Sequence, residues 1–430
     1  MRTARRVLRE SLAIAALVGA AACSGNPAPQ TPAQPTLPGD PPTAAPHEIL
    51  EAQRRARPTG TAAQPGVSDA VVRGHMEFLA SDAMNGRASG TRDEWIAATY
   101  VASQLRQWGI EPLGDAGSYV QQIDMAPLEA VAAPVLTADV IRITHGQGML
   151  VRSLGSSETV TGPLVHYKEG VTVASDAVFV MPAQPTPAAA RAAAGAAMVI
   201  SRETAADRAG WDAAAAKLPT SAARAVKLSA AAPRRATRVV LAEAAFDQLN
   251  GMADGTVVSL AFQTRQGSVS ARSWNAVGRL PGRDPKLASQ VIVLSAHLDH
   301  IGARQVAAGQ DGINNGADDD ASGTVAVLEL ARTLALGPRP ARTLVFALFG
   351  SEEIGGFGAG YFVDLPVIPL ANIVADLQFE MIGRPDPAVP PGTLWLTGFS
   401  RSTLGPELAK QGARLVDDPH PDQNFFQRSD

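Results

Sequence analysis

Past residue 273, continuous apolar runs alternate with a segment whose apolar residues recur every three or four positions. The runs VIVLSA (291–296), RTLVFALFG (342–350) and IVADLQF (373–379) are typical of strands buried on both faces. Between the first two, GTVAVLELARTLAL (323–336) has the spacing of an amphipathic helix. GTLWLTGF and TLGPELAKQGA add one more strand and helix. This alternation predicts an α/β fold built on a doubly wound, mostly parallel sheet.

Two further patterns precede this region. VVRGHMEFLASDAMNGR and DEWIAATYVASQLRQWGI show apolar residues at helical spacing, and Gly109 marks the end of the second helix. From about 120 to 270, short β-like runs such as GPLVHY and TRVVLA are separated by turns and by an alanine-rich helix. We therefore expect residues 67–119 and 271–430 to form one domain, and residues 120–270 to be a smaller β-rich insert.

The amino terminus predicts export. MRTARRVLRE carries four arginines, the apolar run SLAIAALVGAAA follows, and Cys23 comes next. GAAAC resembles a bacterial lipoprotein signal, although Ala20 stands where leucine is usual, so simple export with cleavage nearby stays open. Residues 1–23 are thus expected to be a signal peptide that leaves a lipid on Cys23. Since Ser24 rather than aspartate follows, we expect an outer-membrane lipoprotein of a bacterial cell envelope, facing periplasm or surface.

Composition narrows the function classes. The net charge is −4 and the basic residues are scattered, which argues against nucleic-acid binding. Cys23 is the single cysteine, so an internal disulfide is excluded. Residues 24–66 begin with a stretch that has eight prolines in 24–47 and almost no large apolar side chain, which predicts an extended linker.

The unusual polar residues lie just after the predicted strands. In open α/β sheets this carboxyl edge is where ligands bind. The residues concerned are His297, Asp299 and His300 after the first strand, Glu352 and Glu353 after the second, Glu380 after the third, and Asp318, Asp319 and Asp320 before the 323–336 helix.

Each of these signals has an ordinary structural explanation when it is taken singly. A histidine after a strand is commonly a hydrogen-bonded structural residue, paired glutamates commonly lie in a solvated loop, and aspartates before a helix can cap it. Together, so many acids at one edge need a compensating cation. Imidazole and carboxylate without thiolate suit Zn²⁺ or a similar divalent ion. The residues alone leave open whether one ion or two is bound, and which aspartate of the triplet is a ligand.

Four ordered motifs, SAHLDHIG, NGADDDASGT, FGSEEIGGFGAGYF and LQFEMIGR, resemble the bacterial leucyl aminopeptidase-like family of co-catalytic zinc exopeptidases. This family is related to aminopeptidase Y and glutamate carboxypeptidase II. The resemblance covers roughly 271–430, and FLASDAMNGRASGT with YVASQLRQWGIEPLG resembles the family's amino-terminal part. The intervening block resembles the protease-associated domain often inserted there.

The resemblance implies a role for each position. His297 and Glu380 would bind one zinc, although many relatives have aspartate at the position of Glu380. Asp299 would orient His297. Asp319 would bridge two zinc ions, and the peptide bond between Asp319 and Asp320 would be cis. Glu352 would be the general base and Glu353 would bind the second zinc.

The sequence reaches NFFQRSD at a point where the family has Ser-Asp followed by a zinc-binding histidine. We therefore expect that the natural chain is longer, continues with histidine and binds two zinc ions. For the chain as given, we expect one well-bound zinc ion, a weaker second site and little activity. The leading interpretation is an aminopeptidase acting on peptide substrates. The alternatives are a carboxypeptidase or glutaminyl-cyclase-like activity on the same fold, and a catalytically silent binding or scaffold protein.

Overall fold

The computed structural model describes residues 65–155, 159–226, 236–307, 309–423, 425–427 and 429. Cys23, the predicted signal peptide and nearly all of the predicted linker lie outside this part of the chain. Within it, no helix is both long and apolar enough to cross a membrane.

The helices and strands follow the predicted pattern closely. The helices are α1 (Asp69–Leu79), α2 (Arg92–Gln107), α3 (Pro187–Ala192), α4 (Ala205–Ala209), α5 (Trp211–Ala215), α6 (Glu243–Asn250), α7 (Gly323–Leu336), α8 (Phe357–Asp364) and α9 (Leu404–Lys410). The strands are β1 (Glu111–Pro112), β2 (Val120–Ala126), β3 (Leu128–Ala130), β4 (Val135–Ala138), β5 (Ile141–His145), β6 (Gly148–Ser153), β7 (Val160–His166), β8 (Val178–Val180), β9 (Met198–Arg202), β10 (Arg224–Ala225), β11 (Thr237–Leu241), β12 (Val257–Ala261), β13 (Thr264–Gln266), β14 (Ala271–Leu280), β15 (Val291–His297), β16 (Thr343–Phe349), β17 (Ile373–Gln378), β18 (Leu394–Leu396) and β19 (Leu415–Asp417).

The main sheet has the strand order β10-β2-β14-β16-β15-β17, with β1 paired to β14. Strands β16, β15 and β17 are parallel to one another, whereas β14 pairs antiparallel with both β16 and β2. The α/β class is confirmed, but the sheet is mixed, and the prediction of a mostly parallel sheet was wrong in this respect. Apolar periodicity shows that a strand is buried and carries no information about its direction.

Both faces of the parallel region are covered by helices. On β16, Leu344, Phe346 and Leu348 face a core shared with α2 and α7. The intervening Val345, Ala347 and Phe349 face a second core that includes Phe362 of α8. Every residue of β16 is buried, because successive side chains of a strand point to opposite faces and both faces here are apolar. The doubly wound arrangement is thereby confirmed.

The β-rich block closes into a barrel of strand order β11-β6-β5-β4-β12-β7-β8-β9 within the described residues. Its interior is a separate apolar cluster that includes Leu136, Leu164 and Leu260. Two strands of the predicted insert belong elsewhere: β2 pairs with β14, and β10 pairs with β2, so both extend the main sheet. The predicted start of the insert at 120 was therefore wrong, because a short strand pattern does not show which sheet the strand joins.

Strand β18 also departs from expectation. Among the described residues it pairs only with β19, in a separate two-stranded sheet. Helix α2, in contrast, follows the sequence signals. Thr91 caps it by accepting a hydrogen bond from the Asp93 amide at 3.3 Å, and Gly109 beyond its end has φ +64°, which suits glycine.

Candidate metal centre

The predicted polar residues meet at one edge of the main sheet. His297 is the last residue of β15 and lies in register with Phe349, the last residue of β16. Glu352 and Glu353 follow β16 after a short turn, and Glu380 follows β17. Because these three strands are parallel, their carboxyl ends deliver the side chains to the same edge.

The His297 imidazole is fully buried, and neither ring nitrogen makes a hydrogen bond of good geometry to any of the described residues. Its Nε2 lies 3.0 Å from Oδ1 of Asp319. Burial by itself would lower the pKa of His297, but the carboxylates of Asp299, Asp319 and Asp320 raise it well above its usual value. Buried polar nitrogens ordinarily have a hydrogen-bond partner, so Nε2 of His297 and the Asp319 carboxylate fit the role of ligands to one metal ion.

The three aspartates of the triplet face different ways. Asp318 accepts a hydrogen bond from the Gly383 amide at 2.9 Å and lies 3.6 Å from Nε of Arg384. Asp319 faces His297, as the family resemblance implied, and its peptide bond to Asp320 is cis, as the resemblance also implied.

Asp320 links three backbone segments through hydrogen bonds. It is fully buried, and its carboxylate accepts hydrogen bonds from the amides of His297 at 3.2 Å, Gly323 at 3.0 Å and Met381 at 3.2 Å. These amides belong to the end of β15, the start of α7 and the segment after β17. The sequence alone could not choose among the three acids, whereas the structure selects Asp319 as the one facing the histidines.

A second imidazole lies beside Asp319. His300, Asp319 and Glu353 each present a ligand atom within 4.8 Å of the other two, and His300 Nδ1 is 2.6 Å from Oε1 of Glu353. The His300 ring packs against Gly316, where a Cβ would come within 2.7 Å of it. No other group of three potential ligands is this close in the described parts of the chain. His300 was named among the polar residues after the first predicted strand without a role, although its position three residues after His297 was a usable signal.

Asp299 was expected to orient His297, but the distance between His297 Nδ1 and Asp299 Oδ1 is 3.7 Å, too long for a hydrogen bond. The Asp299 carboxylate instead accepts hydrogen bonds from the amides of Glu352 at 3.0 Å and Glu353 at 3.3 Å, and from the Ser89 hydroxyl. The direct partners of this carboxylate are therefore the glutamate turn and Ser89, and not the imidazole.

Glu94 also accepts a hydrogen bond from the backbone of this turn. It is fully buried, and its Oε1 accepts hydrogen bonds from the Ser351 amide at 2.9 Å and the Ser273 hydroxyl at 2.7 Å. Burial, and then the nearby Asp299 charge, raise the pKa of Glu94 well above its usual value. Ser351 has φ +58°, so the chain turns sharply between the end of β16 and Glu352. No sequence pattern predicted this role for Glu94.

The Glu352 carboxyl is half-buried and surrounded by charge. Burial, together with the carboxylates of Asp299, Glu380 and Glu353, raises the pKa of Glu352 to about 7, against the opposing effect of His297. A carboxyl with a pKa near neutrality can both accept and release a proton, which is what general acid–base catalysis requires.

Glu380, like His297, is a predicted ligand that lies outside the close group of His300, Asp319 and Glu353. It does not join His297 and Asp319 in a set of three with ligand atoms within 4.8 Å of one another. Its Oε2 accepts a hydrogen bond from Gln378 Nε2 at 3.3 Å, and its charge acts on Asp320 and Glu352. Glu380 therefore acts on the centre through its negative charge, which raises the pKa values of Asp320 and Glu352.

The donor set fits a zinc ion. His297 supplies a buried nitrogen, Asp319 supplies an oxygen 3.0 Å from it, and His300 with Glu353 supplies a further nitrogen and oxygen. Nitrogen and carboxylate oxygen without sulfur are the ligands that zinc uses in hydrolytic sites.

The candidate ligands lie in the part of the chain that matches a known protein family. The family model of peptidase family M28 matches residues 275–430, which contain all of the candidate ligands. Leupeptin-inactivating enzyme 1 of Streptomyces exfoliatus is 33% identical over 147 residues, covering 34% of this chain and 30% of that protein. The probable lipoprotein aminopeptidase LpqL of Mycobacterium tuberculosis is 29% identical over 141 residues, covering 33% of this chain and 25% of that protein. The chain thus spans less than a third of the length of these two relatives.

Among solved structures, the zinc aminopeptidase BSAP from Bacillus subtilis is 17% identical, with a TM-score of 0.41 over 83% of this chain and 80% of that one. The aminopeptidase from Aneurinibacillus sp. strain AM-1 is 17% identical, with a TM-score of 0.41 over 89% of this chain and 84% of that one. The match to the M28 family model over 275–430 agrees with the resemblance to a peptidase family that the sequence motifs indicated.

Proposed function

We propose that this protein is a zinc-dependent exopeptidase, and specifically an aminopeptidase that removes amino-terminal residues from peptides. The observation that carries the proposal is the position of Asp319, which lies 3.0 Å from Nε2 of the fully buried His297 and forms a close group with His300 and Glu353. The M28 match over the same residues supports it.

His297 and Asp319 would hold one zinc ion, with Glu380 turning inward to complete that set. Asp319 and Glu353 would hold a second ion, and His300 is the imidazole closest at hand for it. When bound, zinc would supply Lewis-acid activation of water and of the scissile carbonyl.

Glu352 would move the proton. Its half-buried carboxyl, with a pKa of about 7, would take a proton from the attacking water and pass it to the leaving amine. Asp299 would fix the backbone from which this side chain projects, through its hydrogen bonds to the Glu352 and Glu353 amides. Asp299 is therefore proposed as a positioning residue.

Amino-terminal cleavage is proposed because the probable lipoprotein aminopeptidase LpqL is among the relatives that this chain resembles. Asp319, Glu353 and Glu380 are proposed as zinc ligands, so bound zinc would offset their charge and that charge alone does not select a substrate terminus. Peptides with a free amino terminus are the proposed substrates.

Metal removal and substrate blocking test this proposal together. Amino-acid p-nitroanilides should be cleaved, dialysis against a chelator should abolish the cleavage, and added zinc should restore it. N-acetylated p-nitroanilides should be inert, and peptides blocked at the amino terminus with a free carboxy terminus should also remain intact. Cleavage of those blocked peptides would favour the carboxypeptidase alternative, and failure to bind zinc at all would favour the silent scaffold.

We further propose that the protein is exported and anchored through a lipid on Cys23, because a basic segment and a short apolar run precede this cysteine. The wild-type protein should sediment with membranes, and Cys23→Ser should shift it to the soluble fraction or leave it unprocessed. Cell fractionation with immunoblotting measures this. A wild-type protein found wholly in the soluble fraction would contradict the anchor and leave the peptidase proposal untouched.

A further inference from the structure

Arg87 lies in the NGRASGT segment, which the proposed chemistry leaves without a role. The residue is 1% exposed, which is rare for an arginine, and its backbone has φ +46°. A buried, always charged side chain is costly unless the fold uses its hydrogen bonds. Its partners therefore indicate what it does.

The guanidinium of Arg87 donates to backbone carbonyls of the ligand-bearing loops. Nε donates to the carbonyl of Leu298 at 3.0 Å, between His297 and Asp299. Nη1 donates to Asn315 at 2.8 Å and Nη2 to Gly316 at 3.0 Å, immediately before the aspartate triplet. Nη1 also donates to the carbonyl of Leu79 at the end of α1. One planar group thus ties the loop after β15 to the loop that carries Asp319.

The backbone on either side of Arg87 reinforces this link. The His300 amide donates to the Arg87 carbonyl at 3.0 Å, and the Gly302 amide donates to the Gly86 carbonyl at 3.0 Å. Gly86 has φ +70°, and a Cβ there would come within 2.4 Å of the Asn314 carbonyl oxygen. The segment therefore lies pressed against both ligand-bearing loops.

The charge of Arg87 is balanced by the centre and not by a direct ion pair. All the hydrogen bonds that its guanidinium makes in the described residues go to carbonyl oxygens. Burial lowers the pKa of Arg87, and the carboxylates of Asp299, Asp320, Asp319 and Glu353 counteract this effect. Since a positive charge close by opposes cation binding, any help that Arg87 gives to zinc must come through geometry.

We infer that Arg87 is a positioning residue for the metal centre, which sets the separation of His297 and Asp319 by clamping the two loops that carry them. The inference rests on the proposed zinc site. A lysine cannot replace Arg87 in this role, because it is a point charge without the planar fork of five donors. The Arg87→Lys substitution keeps the positive charge and removes the planar fork, so it isolates the geometric contribution of Arg87 to zinc binding.

The decisive measurement is zinc binding to Arg87→Lys, titrated against a competing chelator, alongside Arg279→Lys. Arg279 pairs with Glu111 in the main sheet at 2.7 Å and serves as the matched control for loss of an arginine fork. Loss of supporting contacts to metal ligands typically costs about 10–100-fold in affinity, so the zinc Kd of Arg87→Lys should rise by about tenfold or more. Arg279→Lys should bind zinc as the wild type does.

Thermal unfolding with and without zinc separates positioning from general stability. If Arg87 positions the site, the zinc-induced rise in Tm should shrink in Arg87→Lys, since ligand stabilisation follows affinity. An Arg87→Lys protein that unfolds earlier yet binds zinc with the wild-type Kd would overturn the inference. Wild-type protein that binds no zinc would instead overturn the proposed function.

If Arg87→Lys does not fold, hydrogen exchange measured on the wild-type protein tests the inference instead. The amides of His300 and Ala321 donate to the carbonyls of Arg87 and Gly316, at 3.0 Å and 3.1 Å. Both should exchange slowly in zinc-free protein and change little when zinc is added, because the clamp forms the loops without metal. Rapid exchange that slows only with zinc would show that the metal organises these loops, and the inference would fail.

Discussion

Glu352→Gln should lower kcat by about 10²–10⁴-fold while zinc stays bound, because the amide keeps the shape of the side chain but cannot carry the proton. The Asp299 carboxylate accepts its hydrogen bond from the backbone amide of residue 352, so the turn should remain in place after the substitution. The measurement is kcat on an amino-acid p-nitroanilide, with zinc content determined on the same preparation.

Glu407→Gln on α9 is the matched control, because it removes a carboxylate whose side chain is 59% exposed and which lies 3.7 Å from Lys410. We expect wild-type kcat and zinc content for it. A Glu352→Gln protein with wild-type kcat would show that another group carries the proton. Loss of zinc from Glu352→Gln would mean that Glu352 is a ligand.

Asp319→Asn should lose metal as well as activity. The Asp319 carboxylate lies 3.0 Å from Nε2 of His297 and belongs to the close group with His300 and Glu353, so removing its charge weakens both proposed sites. The loss of zinc affinity should exceed the roughly 10–100-fold that loss of an outer partner costs. Metal analysis after exhaustive dialysis, together with kcat, measures the effect.

The adjacent acid provides the control for this substitution. Asp318 points to the Gly383 amide and toward Arg384, which is 83% exposed, so Asp318→Asn should keep its zinc and most of its activity. Full zinc occupancy in Asp319→Asn after dialysis would remove Asp319 as the bridging ligand. Asp318 or Asp320 would then be the residue to examine next.

Local sequence patterns were sufficient to predict most of the individual elements. The 323–336 helix and the strands that contain residues 291–296, 343–349 and 373–378 were all predicted, because burial on both faces leaves an unbroken apolar run. The same patterns placed His297, Glu352, Glu353 and Glu380 after strand ends. Strand direction and sheet membership were not predictable in this way: β14 and β2 pair antiparallel within the main sheet, and the apolar run of a strand is the same in either direction.

The sequence by itself determined which chemical groups gather at the carboxyl edge, since parallel strands bring whatever follows them to one side. The tertiary structure decided which of those groups touch. Asp299 accepts hydrogen bonds from the glutamate turn and not from His297, His300 joins Asp319 and Glu353, and Glu380 lies outside that close group. These choices depend on turn geometry and on clamps such as Arg87, whose partners are distant in sequence and become neighbours only when the sheet and helices have packed.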